Sequence, residues 1–147
     1  MAGKQTILIV DDSEMNRAIL ADMLGNEFDI LEAENGSEGV EMLQKYGAEI
    51  SLVLLDIVMP VMDGFGVLEV MNSHGWIKDI PVIMVSAESD PAYIERAYEL
   101  GVTDFINRPY DVIYLIQRSL CITYTAVKLK RFLPSICVNQ TDLAASC

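Results

Sequence analysis

The chain has 147 residues, is 52% hydrophobic and carries a formal net charge of −12. That fits one acidic globular domain with a short appendage and excludes a disordered acidic tail. Residues 1–111 hold 6 basic and 21 acidic side chains, a balance of −15, whereas residues 112–147 hold 4 and 1, a balance of +3; such an acidic body repels nucleic acid and anionic lipid.

The first strand is expected at Thr6–Val10, with the pair Asp11-Asp12 directly after it. Met15, Ile19, Met23 and Leu24 form the stripe of a first helix. A second strand, Phe28–Ala33, carries Asp29 and Glu32 and therefore reads as an edge. Val40 and Leu43 mark a second helix. The third strand, Ser51–Leu55, is almost wholly apolar and ends at Asp56, which opens a Pro- and Gly-containing loop to Gly64. Val67, Leu68 and Met71 mark a third helix, and His74, the one histidine, reads as surface punctuation at its end. A fourth strand, Pro81–Val85, leads to Ser86. Asp90 can cap the fourth helix and Pro91 suits its first turn, while Gly101 supplies its stop. Thr103–Ile106 forms the fifth strand and contains Phe105.

Asp111 can cap a fifth helix, whose stripe Val112, Ile116, Leu120, Tyr124 and Val127 runs toward the basic Lys128–Arg131 and ends before Pro134. Two readings of this long helix stay open. It is either a linker that dimerises or couples to an output domain, or an amphipathic helix that simply covers the sheet. Residues 135–147 are expected to be poorly ordered. Cys121, Cys137 and Cys147 are odd in number and form no CxxC pair, so reduced thiols are expected, in keeping with a cytoplasmic protein. No signal-peptide pattern opens the chain, and no stretch reaches the roughly 18 uncharged apolar residues of a membrane span.

Strands alternating with helical patterns indicate a parallel sheet with crossover helices, and open α/β sheets do their chemistry at the carboxyl ends of the strands. Asp11, Asp12 and Asp56 all fall there. If the first and third strands are neighbours, three carboxylates meet at one edge, repel one another and favour a hard divalent cation such as Mg²⁺. An aspartate in that setting is a candidate phosphoryl acceptor. Neither GxxxxGK[ST] nor GxGxxG is present, which argues against a nucleotide site.

The acidic pair Asp11-Asp12, Asp56, Met59-Pro60, Asp63-Gly64, Ser86-Ala87 and a basic residue before Pro109 stand in register, with 44 positions from Asp12 to Asp56, 30 from Asp56 to Ser86 and 22 from Ser86 to Arg108. Over about residues 5 to 120 the chain thereby resembles the receiver domain of bacterial two-component response regulators. The resemblance implies a flavodoxin-like, doubly wound, five-stranded parallel sheet of order 2-1-3-4-5 with five helices. It implies a receiver over residues 1–120 and an extended helix and tail over 121–147. It implies that Asp56 takes a phosphoryl group from a phosphohistidine on a sensor histidine kinase or a histidine phosphotransfer protein. Asp11, Asp12, Asp56 and the main-chain carbonyl of Val58 would hold Mg²⁺. Ser86 would engage the phosphoryl group, and Phe105 would move with it and alter the face of the fourth helix, fifth strand and fifth helix, through which the domain docks on partners or forms a homodimer.

Such a domain is a phospho-accepting signalling module, not an enzyme with its own substrate. An aspartate-nucleophile phosphatase would carry a second Asp two residues beyond the first, where this chain has Val58. Arg108 departs from the family, which places Lys there. Arg keeps the charge but is planar and favours forked contacts. It either binds phosphate from a shifted position or points away, and in the second case the domain is a pseudo-receiver that acts without phosphorylation. The resemblance also implies a cis Arg108-Pro109 bond.

Overall fold

In the computed structural model, which describes residues 4–88, 90–109 and 111–132, five parallel strands stand in the order β2-β1-β3-β4-β5. They are β1 (Gln5–Val10), β2 (Phe28–Ala33), β3 (Ile50–Leu55), β4 (Val82–Ser86) and β5 (Asp104–Asn107), joined by α1 (Glu14–Leu24), α2 (Gly36–Tyr46), α3 (Gly64–Ser73), α4 (Pro91–Glu99) and α5 (Val112–Phe132). The expected fold and strand order are borne out, with strand bounds shifted by about a residue, and β2 lies at an edge. Short 3₁₀ turns at Gly47–Glu49 and Trp76–Lys78 precede β3 and β4.

The strand sequences explain the layering. Successive side chains point to opposite faces, so Leu8, Val10, Val53, Leu55 and Met84 face one core with Leu43 of α2, Leu68 and Met71 of α3, and Ala97 of α4. Ile7, Ile9, Leu52, Leu54, Ile83 and Val85 face the other, with Leu20 and Leu24 of α1 and Leu115 and Ile122 of α5. Both faces are covered, which is why β1, β3 and β4 are continuous apolar runs. Each fully buried side chain of this kind stabilises by about 1.5–3 kcal/mol, so burial, more than helix propensity, holds the helices in place.

Side chains close the helix starts. Ser13, Asn35, Asp63 and Asp90 accept from the N–H groups of Asn16, Glu38, Gly66 and Ala92 at 3.2, 2.9, 2.8 and 2.9 Å. Asp111 accepts from Ile113 at 2.8 Å, in the expected capping role. Pro91 opens α4, and Gly101 beyond its end takes φ 97°. His74 caps the C-terminus of α3 on the surface and stacks on Trp76.

Two helical stripes differ from expectation. On α1, Leu24 is buried and Met23 packs on the core as expected, but Met15 and Ile19 are exposed and Leu20 takes their place in the core. On α5, Leu120 and Tyr124 are exposed, and the covered face is Leu115, Ser119, Ile122 and Thr123. Two hydroxyl residues lie on that face, so apolar periodicity places Ile116 correctly against the core but misplaces Leu120 and Tyr124. Thr123 is tolerated there because its Oγ1 donates to the Ser119 carbonyl one turn back at 2.8 Å. Cys121 is disulfide-bonded, which corrects the expectation of reduced thiols: an odd count still permits one pair. The side chains of Val112 and Val127 and the tail at 135–147 lie outside the described residues.

Candidate functional site

Strands β1 and β3 pair from Thr6 to Val10, so the residues that follow them emerge side by side. The Asp56 N–H donates to the Val10 carbonyl at 3.0 Å and the Asp11 N–H to the Ala33 carbonyl at 3.1 Å, which prolongs the ladder into the acidic loop. Carboxylate oxygens of Asp11, Asp12 and Asp56 all lie within 4.8 Å of one another. Asp11 is buried, Asp56 is 8% exposed, and Asp12 is exposed. The helix-capping task after β1 belongs to Ser13, not to Asp11 or Asp12.

Arg108 enters the same cluster from the far side of the sheet. Its main-chain N–H donates to the Ser86 carbonyl at 2.9 Å, and the Arg108-Pro109 bond is cis, as expected. Its guanidinium forks. Nη2 pairs with Asp11 Oδ2 and Nη1 stands 3.6 Å from Asp56 Oδ2. The other oxygens are also placed: Asp11 Oδ1 accepts from the Ser13 N–H at 2.9 Å, and Asp56 Oδ1 accepts from the Ile57 N–H at 2.8 Å.

These surroundings push the Asp56 pKa up from 3.8 to about 6. Burial is the largest cause, followed by the like charge of Asp11; Arg108 and the Ile57 N–H act in the opposite direction, and Asp12 adds a smaller upward push. The carboxylate is therefore under-compensated, with burial and repulsion outweighing one shared cation. A cluster of three carboxylates with hard oxygen donors at this separation fits a divalent cation of the Mg²⁺ type.

Ser86, at the end of β4, is buried, and its Oγ accepts from the Glu88 N–H at 3.2 Å. Phe105 is partly buried on β5, in register with Met84, and packs on the core of that sheet face. Val58 is 60% exposed in the loop after Asp56. The structure brings Asp11, Asp12, Asp56 and Arg108 into one cluster; Ser86 bonds through its carbonyl to the Arg108 main chain, and Ser86, Val58 and Phe105 make no described contact with the carboxylates.

Arg17 escaped sequence reasoning. Its Nη1 donates to the Asp11 carbonyl at 2.7 Å and its Nε pairs with Glu32 at 3.3 Å, which ties the acidic loop to the edge strand. The available signal was its place four residues after the Ser13 cap, on the turn of α1 nearest the loop. A cavity of about 530 Å³ lined by Leu43, Lys45, Ile50, Trp76 and Asp79 lies at the opposite end of β3, away from the carboxylates.

Comparison with known proteins follows the same line. A family model described as the response regulator receiver domain matches residues 7–119. Two-component response regulator ORR11 of rice is 35% identical over 120 residues, spanning 78% of this chain and 80% of its own. A Vibrio cholerae protein named as a probable cyclic di-GMP phosphodiesterase is 36% identical over 137 residues, or 93% of this chain, which spans only 30% of that relative's length. Among solved structures, the CheX–CheY–BeF₃–Mg²⁺ complex from Borrelia burgdorferi matches with a TM-score of 0.72 and 32% identity, over 79% of this chain and 87% of that one.

Proposed function

The chain belongs to the response regulator receiver domain family, and from that premise we propose that it is a phosphorylation switch whose acceptor is Asp56. The observation that carries this reading is the convergence of Asp11, Asp12 and Asp56 at the carboxyl ends of β1 and β3, with a cation from Arg108 beside them. The donor is a phosphohistidine on a sensor histidine kinase or a histidine phosphotransfer protein. An Asp56 carboxylate oxygen forms the new bond to phosphorus as the phosphorus–nitrogen bond breaks, and that electron pair returns to the imidazole. Asp56 Oδ1 is held by the Ile57 N–H, so Oδ2, on the Arg108 side, is the oxygen placed to attack.

Asp11, Asp12, Asp56 and the main-chain carbonyl of Val58 would hold Mg²⁺, which supplies charge neutralisation for the transferring oxygens. Ser86 Oγ accepts from Glu88, so its own O–H remains the group available to donate to a phosphoryl oxygen. Phe105 sits on the next strand, where a pull on Ser86 would repack it. Phosphorylation adds roughly −1.5 to −2 charge, enough to bias a two-state face. That face, made by α4, β5 and α5, is the expected surface for partners or a homodimer. Residues 1–120 are the proposed receiver and 121–147 its extension, in a cytoplasmic signalling protein without an enzyme's turnover.

Intact mass after incubation with Mg²⁺ and acetyl phosphate tests the proposal. A phosphoryl-sized gain is expected. No gain, under conditions where a control receiver reacts, would leave the chain as a phosphorylation-independent docking domain. The Arg108–Asp11 pair is the observation that favours this second reading.

The phosphoryl group should persist well beyond seconds. Val58 is exposed and apolar beside the acceptor, so it cannot orient an attacking water. Val58→Asn is expected to shorten the lifetime several-fold in a ³²P chase. Loss of label from the wild type within seconds at neutral pH would contradict this.

A further inference from the structure

We propose that Arg108 is a built-in competitor for the cation site: its guanidinium holds Asp11 and faces Asp56, and Mg²⁺ enters only as that grip on Asp11 is released. The proposal rests on the receiver reading and goes beyond it, because it assigns the Arg-for-Lys departure a definite task.

Both Asp11 oxygens are engaged by the protein, Oδ1 by the Ser13 N–H and Oδ2 by Arg108 Nη2. Arg108 Nη1 meanwhile faces Asp56 Oδ2 at 3.6 Å. One guanidinium therefore spans two of the three carboxylates that would ligate the metal. A lysine ammonium is a single point on a flexible stem and has no second arm for this task. The Arg108 backbone is fixed by its bond to the Ser86 carbonyl, so the exchange is confined to the side chain. With the side chain 19% exposed, solvent reaches it and gives it somewhere to go.

Asp12 is the exposed member of the cluster and Asp11 the buried one. An arriving dication thus meets Asp12 first and has to displace the guanidinium to complete its shell at Asp11. Once released, Arg108 is the nearest cation for an incoming phosphoryl group, which its fork suits. Metal affinity and readiness for phosphate are then set by one side chain with two positions.

The test is Mg²⁺ calorimetry on the wild type, Arg108→Lys and Arg108→Met, with thermal melts to confirm folding. Both variants are expected to bind Mg²⁺ at least about tenfold more tightly, the scale on which a ligand's hydrogen-bonding partner tunes a metal. A second readout needs no variant: the Arg108 Nε–H resonance of wild-type protein should move as Mg²⁺ is titrated in. Equal or weaker affinity in both variants, or a resonance unmoved at saturating Mg²⁺, overturns the proposal. Tightening in Arg108→Met alone would assign the effect to charge and overturn the role of the fork. Beryllofluoride adduct formation on the wild type at saturating Mg²⁺ reports separately on the receiver reading. An adduct with unchanged affinities sinks only the competitor, whereas no adduct and no Mg²⁺ binding in any of the three proteins sinks both.

Discussion

Asp56→Asn is expected to abolish phosphoryl uptake and, in the same protein, to raise folding stability at pH 7 in EDTA by about 1–2 kcal/mol. The two effects have one origin. Burial and the neighbouring charges of Asp11 and Asp12 push the Asp56 pKa from 3.8 to about 6, against the pull of Arg108 and the Ile57 N–H. Between those two values the folded protein holds a proton that the unfolded chain has lost. The contribution of Asp56 to stability is therefore most favourable below about pH 4, falls as pH rises toward 6, and carries the full cost of the charge above it. A two-unit shift corresponds to about 3 kcal/mol, reduced here because solvent still screens the site.

Asparagine keeps a carbonyl oxygen for the Ile57 N–H and leaves Arg108 its pair with Asp11. The variant should thus lose the pH dependence in this window along with the nucleophile. Urea unfolding between pH 4 and 8, set beside intact-mass analysis with acetyl phosphate, measures both. A variant less stable than the wild type at pH 7 would refute the electrostatic account. Phosphoryl uptake by the variant at the wild-type rate would remove Asp56 from the acceptor role.

The placement of the acidic residues was legible because strand ends announce themselves. Apolar runs covered on both faces stop abruptly at Asp11 and Asp56, and the parallel pairing of β1 with β3 brings the two together. Asp90-Pro91 and Gly101 mark α4 for local reasons that act on the residue in place: a cap, a missing N–H and a positive φ. What depends on tertiary context was not legible. The covered face of α5 contains Ser119 and Thr123, so counting apolar residues selects Leu120 and Tyr124 instead, which face solvent. Arg108 announces its charge in the sequence, but not that its fork spans Asp11 and Asp56. Arg17 reaches the acidic loop only because α1 and β2 lie beside it. Val61 takes φ 71°, a left-handed conformation uncommon for a β-branched residue, in the loop between Asp56 and α3. Its side chain is 84% exposed, so nothing in the apolar pattern signals it.

Gly64 gives the sharpest contest between local preference and tertiary fit. It is the first residue of α3, where alanine would gain up to about 1 kcal/mol of helix propensity. A Cβ at that position would stand 2.3 Å from the Asp56 carbonyl oxygen and 3.0 Å from both the Ile57 Cα and the Met84 Cε. The first two neighbours are backbone, fixed by the end of β3 and by the Gly64 N–H bond to the Ile57 carbonyl at 2.8 Å. They cannot yield as a flexible side chain would, so overpacking wins. Gly64→Ala is expected to lose about 2–3 kcal/mol in urea unfolding. Relief of the clash also displaces Asp56 itself, and misplacement of a reacting group by about 1 Å costs on the order of 10²-fold in rate. Phosphoryl uptake by the folded variant should fall accordingly. Gly47→Ala serves as the control, since nothing lies within 4 Å of its Cβ position and its φ of −47° suits any residue. It should be neutral or stabilise by up to about 1 kcal/mol, with uptake unchanged. If the two alanine variants behave alike, the close approach of α3 to the strand end does not hold Asp56 in place.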